Sequence, residues 1–392
     1  MSRIVFFCIP AHGHTNPTLG VVRELVQRGH QVWYYSFEPM RRKIERAGAR
    51  FIACDAFDAQ RHIEPKDAAR VGSDLAFSTK LLVDTTLALD ETVCRHMAEI
   101  EPDCIVADSM APWGKAAAMK LGIPFVSSTT TFAFNKYSSK IMKQSGKELF
   151  KMLLGMPKIN REVKRLRERG YPIKSVLDII ANDNDTHTIV YTSAEFQPCA
   201  DTFSDKFAFV GPSIRPAETE FAKTREKLVY ISMGTVNNDM LPLYRSCIEA
   251  LAGSEYQTVI SAGEGTDIAK LGTLTENVEV YPKVDQIAVL QKADVFISHC
   301  GMNSVSESLY FSVPLVMLPQ TKEQQGVAAR VNELGAGILL GTSTAQAIRS
   351  AVEKLLTEGT YKQAAEKISG SFRSCSGAKA AADKILSLCK NQ

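Results

Sequence analysis

What the chain lacks narrows its class before anything it contains is weighed. No stretch of its 392 residues approaches the ~18 consecutive apolar residues of a membrane-spanning helix. Behind Arg3 the apolar run from Ile4 to Pro10 is too short, and too rich in strand formers, for a secretory leader, so a cytoplasmic protein with no membrane span is expected. Neither sign of charge is in excess. Lys and Arg number 46 against 43 Asp and Glu, a formal net of +3, and no basic run carries interleaved aromatics, which argues against a nucleic-acid binder. The nine cysteines show neither CxxC pairs nor zinc spacing and suit free thiols in a reducing compartment. A Walker loop and a GxGxxG after a strand are also missing, which counts against P-loop, nicotinamide and flavin chemistry.

What is present is ordinary globular composition, 45% hydrophobic and 23% charged, over a length that one core rarely organises. Two domains are therefore expected. The first half alternates strand and helix patterns: Ile4 to Ile9 reads as a strand, a helix starts at Pro17 and stops at Gly29, and strands at 31–36 and 51–54 complete a βαβαβ unit. A long amphipathic helix spans Leu75 to Ile100, and a buried strand from Cys104 delivers Asp108 at its C-terminal end. Between Thr131 and Asn182 the alternation fails, as in an insertion that shapes a pocket for a variable ligand. A polar linker at 212–227 divides residues 1–211 from a second alternating set at 228–375, and 376–392 closes the chain as a helix. The fold class is α/β, two Rossmann-like doubly wound domains.

The most informative stretch runs from Val278 to Gln324. The apolar run from Asp294 ends in His299-Cys300-Gly301, Asn303 and Ser304 offer N-cap chemistry, and a periodic helix follows as far as Pro314. Strand, glycine turn and helix N-terminus form an anion site, because several N–H groups and the positive helix end converge on one spot. Glu307, four residues after Asn303, projects from the same face and suits a ribose diol. Ser232-Met233-Gly234-Thr235, after the first strand of the second domain, lets backbone approach a phosphate. In the first domain Pro10 to Pro17 carries His12 and His14 in the first β-to-α loop, and the residues alone leave open which of them acts as a base beside Asp108. Asp183-Asn184-Asp185 has the form of a metal-binding DxD but sits in a polar run before a strand, so a solvated turn and no catalytic metal are expected.

With PAHGHTNP, IVADSMAPWGKAAAMKLGIPFV, SMGT and VDQIAVLQKADVFISHCGMNSVSESLYFSVPLVMLPQTKEQ assembled, the chain resembles the family 1 UDP-glycosyltransferases, in particular the bacterial macrolide type, over essentially its whole length. The resemblance implies the GT-B fold, two facing domains with the donor on the C-terminal one, the acceptor on the N-terminal one, and the 376–392 helix packing back toward the N-terminal domain. It makes His12 the base and Asp108 its partner. It sets Val284 and Gln286 around uracil. Ser232, Gly234, Thr235, His299, Gly301, Asn303 and Ser304 hold the diphosphate and Glu307 the ribose. Glu323, Gln324 and Thr130 reach the sugar. Phe132, Phe134, Tyr137, Met142 and Phe150 supply an apolar acceptor pocket. No cofactor is implied beyond a UDP-sugar co-substrate, and the partners are that donor and an apolar hydroxylated small molecule. Lys283 and Leu318 depart from the tryptophans of many plant members. An epimerase of UDP-N-acetylglucosamine, or a nucleotide-sugar-binding protein without activity, would suit the same architecture.

Overall fold

The computed structural model describes residues 1–54, 70, 74–138, 146–234 and 240–389, with side chains 146–153 left out. The chain forms two compact units, one of residues 1–191, 199–213 and 376–392, the other of residues 192–198 and 214–375.

The first unit is a seven-stranded sheet. Its elements are β1 (Arg3–Phe7), α1 (His12–Gln27), β2 (Gln31–Ser36), α2 (Arg41–Arg46), β3 (Arg50–Ala53), α3 (Leu75–Ile100), β4 (Cys104–Asp108), α4 (Pro112–Leu121), β5 (Phe125–Thr129), α5 (Gly146–Glu168), α6 (Leu177–Ile180), β6 (Thr188–Val190) and β7 (Phe207–Phe209). Strand order is β3-β2-β1-β4-β5-β6-β7 with every pairing parallel. Parallel strands are covered on both faces, which is why β1 and β4 read as unbroken apolar runs rather than alternating ones. One face packs Ile4, Phe6 and Val106 against Val22 and Leu25 of α1, and the other packs Val5, Phe7 and Ile105 against Leu89 and Val93 of α3. The order reverses between β1 and β4, so the loops after these two strands diverge around a crevice at their carboxyl ends.

The helix expected from Pro17 begins instead at His12, with Ala11 as its N-cap and Pro17 buried inside it. A proline so near the start removes one helical hydrogen bond, to the Gly13 carbonyl, which the burial of Leu19, Val21 and Val22 outweighs. The DxD is a turn: Asp183 Oδ1 accepts from the Asp185 backbone N–H at 3.1 Å and the Thr186 hydroxyl at 2.8 Å.

The second unit is a six-stranded parallel sheet of order β10-β9-β8-β11-β12-β13. Its elements are β8 (Leu228–Ser232), α7 (Leu241–Leu251), β9 (Gln257–Ser261), β10 (Val278–Tyr281), α8 (Gln286–Leu290), β11 (Val295–Ser298), α9 (Met302–Tyr310), β12 (Leu315–Met317), α10 (Lys322–Glu333), β13 (Gly337–Leu339), α11 (Ala345–Thr357) and α12 (Gly359–Ser374). Here the order reverses between β8 and β11, which places the turn after Ser232 beside the turn after Ser298. The last helix, α13 (Ala378–Cys389), belongs to the first unit, where Ala381, Ala382, Ile385 and Leu386 enter the core of α1. No helix among the described residues is long and apolar enough to cross a membrane.

Candidate active site

In the first unit the switch between β1 and β4 brings one imidazole to one carboxylate. Asp108 ends β4 with its side chain fully buried, and its Oδ2 lies 2.8 Å from Nδ1 of His14. Its Oδ1 accepts from the Met110 backbone N–H at 2.7 Å, so the carboxylate shapes the turn ahead of α4 while Ala111 stands at the N-cap. The Thr130 hydroxyl lies 3.0 Å from the same His14 nitrogen. A carboxylate only accepts, so Nδ1 carries the proton and Nε2 keeps its lone pair, which is the tautomer a general base requires.

This corrects the pairing of Asp108 with His12. Helical geometry turns residues two apart by about 200° around the axis, so only one of the two histidines can face the end of β4. His12, at the first helical position, has Nδ1 3.1 Å from the Lys43 ammonium, which also reaches Asn16 Oδ1 at 3.3 Å. An ammonium can only donate, so His12 Nδ1 accepts and its proton sits on Nε2, the opposite of the basic arrangement at His14. The signal that separates the two is the helix start, hidden in sequence because Pro17 mimics an N-terminus.

In the second unit the turn from β11 into α9 is unusually tight. Cys300 adopts a left-handed conformation with φ 67°, and its N–H is held by Ser298 Oγ at 3.2 Å. The helix then opens at Met302 with Gly301 as N-cap and no side-chain cap, so Asn303 and Ser304 lie within its first turn instead of capping it. His299 lies between two glycines. A Cβ on Gly234 would fall 2.7 Å from its ring, and one on Gly301 2.8 Å from its Nε2. Burial keeps this imidazole below its ordinary pKa, hence neutral, against the opposing effect of a hydrogen bond with the Ser232 backbone. Its Nδ1 is buried without a hydrogen-bond partner among the described residues.

One turn along α9, Glu307 Oε2 accepts from Gln286 Nε2 at 2.5 Å, and that amide also reaches Ser304 Oγ at 3.5 Å. The Tyr230 hydroxyl donates to Gln286 Oε1 at 3.3 Å. Desolvation pushes the Glu307 carboxyl above the usual glutamate range, with the Gln286 bond and the Arg215 charge pulling the other way. The structure thus brings Gln286, Ser304 and Glu307 together, with Val284 two residues ahead of the start of α8. Among the described residues no group of three or more His, Cys, Asp or Glu is placed to hold a metal.

The remaining sequence-named residues are scattered. Gln324 is drawn into the capping box of α10: its Oε1 accepts from the Gln320 and Thr321 N–H groups at 2.8 and 3.1 Å. Glu323 is exposed beside it in the first turn. Phe132 is buried, whereas Phe134 and Tyr137 are exposed. Thr235, Met142 and the Phe150 side chain lie outside the described residues. Sequence reasoning also missed Asp285, a buried carboxylate before Gln286 that holds Arg215 and two backbone N–H groups. Arg215, Glu218 and Thr219 lie 66 to 70 residues away, and only its cap on the Ile287 N–H is local.

A family model described as UDP-glucoronosyl and UDP-glucosyl transferase matches residues 215–373. The uncharacterized UDP-glucosyltransferase YdhE of Bacillus subtilis (strain 168) is 33% identical over the whole of both chains. The demethyllactenocin mycarosyltransferase of Streptomyces fradiae is 30% identical, over 99% of this chain and 87% of its own length. Among solved structures, the glycotransferase of kitacinnamycin superposes with a TM-score of 0.84 at 27% identity, over 99% of this chain and 98% of that one.

Proposed function

The chain belongs to the UDP-glucoronosyl and UDP-glucosyl transferase family and is a glycosyltransferase of GT-B fold, and on that premise we propose that it moves glucose from UDP-glucose to a hydroxyl of an apolar small molecule, with inversion and without a metal. The observation that carries this reading is the 2.8 Å contact between His14 and the buried Asp108, since a protein that only bound nucleotide sugar would need no poised base. His14 Nε2 takes the acceptor proton as the oxygen attacks the anomeric carbon. The new C–O bond forms as the bond from that carbon to the β-phosphate oxygen breaks, and UDP leaves with the electron pair. Asp108 stabilises the imidazolium that results. The N–H groups at the start of α9, with His299 beside them, stabilise the charge that gathers on the leaving diphosphate, in place of a cation. Glu307 and Gln286 take the ribose and the base. The relatives are named for both glucosyl and mycarosyl transfer, so deoxy-sugar donors are the natural competitors to UDP-glucose. The apolar acceptor is supported by the phenylalanines and tyrosine around residue 132 and by relatives named for demethyllactenocin and oleandomycin.

The test is turnover with UDP-glucose and a panel of alcohols and phenols, followed by UDP release and product mass. Activity is expected to survive a chelator. His14→Ala should lose about 10² to 10⁴ in turnover on alcohols while still binding UDP, and His12→Ala should keep most of its activity. The reverse order of the two variants would return the base to His12. Release of UDP with no acceptor present would point to an epimerase.

A further inference from the structure

Asp285 stands where the loop after β10 enters α8, and all of its acceptor capacity is in use. Oδ1 accepts from the Ile287 N–H at 3.2 Å, capping the helix, and from the Arg215 guanidinium; Oδ2 accepts from the N–H of Glu218 at 2.6 Å and of Thr219 at 3.1 Å. A carboxylate has about four lone-pair sites, so no further donor can be accommodated. Its side chain is 7% exposed. Burial alone would raise the carboxyl, but the Arg215 bond and the two backbone donors outweigh it and hold the group below the usual aspartate range. A buried anion so fully bonded is expensive to disturb, because removing it strands a guanidinium and three N–H groups.

The contacts all lie in one unit, and they converge on one half of the donor cradle. Asp285 is flanked by Val284 and Gln286. The Gln286 amide bonds Glu307, and the Arg215 charge acts on the Glu307 carboxyl. By contrast His299, Gly301 and Gly234 are held by the turns after β11 and β8. We propose that Asp285 and Arg215 form a clamp that pins residues 215–219 to the start of α8 and, by fixing Gln286 and Glu307, sets affinity for the nucleoside half of the donor. Both act as positioning residues. Neither is required to touch the reacting atoms. The inference rests on the donor reading above, with the diphosphate and nucleoside halves held by separate groups.

The test compares UDP with inorganic pyrophosphate as probes, by calorimetry on the full chain, with steady-state kinetics alongside. Asp285→Asn keeps the shape and, with its oxygen toward Ile287, the cap, but it loses the charge and turns a donor toward the Glu218 and Thr219 N–H groups; it and Arg215→Gln should each weaken UDP binding about tenfold and raise donor KM in parallel. Turnover number, acceptor KM and pyrophosphate affinity should stay within about twofold of wild type. The two substitutions combined should cost less than the product of their separate effects, because they remove one interaction. Equal loss of UDP and pyrophosphate binding would show a merely structural role and overturn the clamp, as would unchanged UDP binding in both variants. A wild-type chain that bound no UDP would instead overturn the donor reading itself.

Discussion

At the scale of single residues His14 in the first unit and Glu307 in the second differ in how ionisation bears on them. The His14 tautomer is set by Asp108 and not by the histidine's neighbours in sequence. Glu307 works as an acceptor whose environment resists its charge. Its folded-state carboxyl titrates above the ordinary glutamate value, so the stability associated with it is complete at acid pH and is lost as pH rises through the raised value. Glu307→Gln should therefore melt higher than wild type near pH 7, and the difference should vanish toward pH 4. The same variant should raise donor KM roughly 10- to 100-fold, since an amide cannot replace a carboxylate that accepts two hydroxyls. Melting curves at the two pH values, set beside donor KM, check both halves; a variant less stable at neutral pH would refute the desolvation argument. His299 has the opposite sign. Its depressed value means stability holds above the ordinary histidine range and falls as acid charges the buried ring.

At the scale of elements the donor cradle is a matter of close approach. Gly234 has φ +77° and its missing Cβ leaves room for the His299 ring, so Gly234→Ala should both strain the backbone and displace the imidazole, costing about 1 to 3 kcal/mol of stability and raising donor KM. Gly301 has φ −60°, so Gly301→Ala isolates the collision from the strain: donor KM should rise with a smaller change in melting temperature. Equal donor KM in both variants and wild type would remove His299 from the cradle. The glycines were legible in sequence as turn residues after strands, and so was the strand–turn–helix at 295–310. The start of α1 was not, because the cap at Ala11 makes no side-chain bond and Pro17 offered a stronger local signal five residues later. The helix at 75–100 was legible to the residue, since its periodicity is long and its N-cap, Asp74, bonds Phe77 N–H in the ordinary way.

At the scale of the whole molecule, each unit carries its own core, and the chain returns to the first one to finish it. Ile385 is fully buried against the α1 side of the first sheet, and the Gly377 N–H bonds the Val210 carbonyl at 2.8 Å as the chain arrives. Ile385→Ala should destabilise the first unit by about 2 to 5 kcal/mol while leaving UDP affinity unchanged, because the groups proposed to hold UDP belong to the second unit. Denaturant unfolding with calorimetry of UDP binding tests this. An unchanged midpoint would mean that α13 contributes no core.

The sequence by itself determined the α/β class and the two parallel sheets, because buried parallel strands need continuous apolar runs and their crossovers need helical periodicity. It also marked an anion site, because a glycine turn feeding a helix from a strand is local, contiguous and written in neighbouring residues, while the sugar nucleotide entered with the resemblance of those motifs to the family 1 UDP-glycosyltransferases. Only the tertiary structure decided that His14, and not His12, meets Asp108, since the two lie 94 positions apart and the chain between them carries no register. It alone placed Arg215 on Asp285 as well, because an ion pair depends on where two segments meet in space, and hydrophobic patterning constrains which face a residue takes but not which charge it finds there.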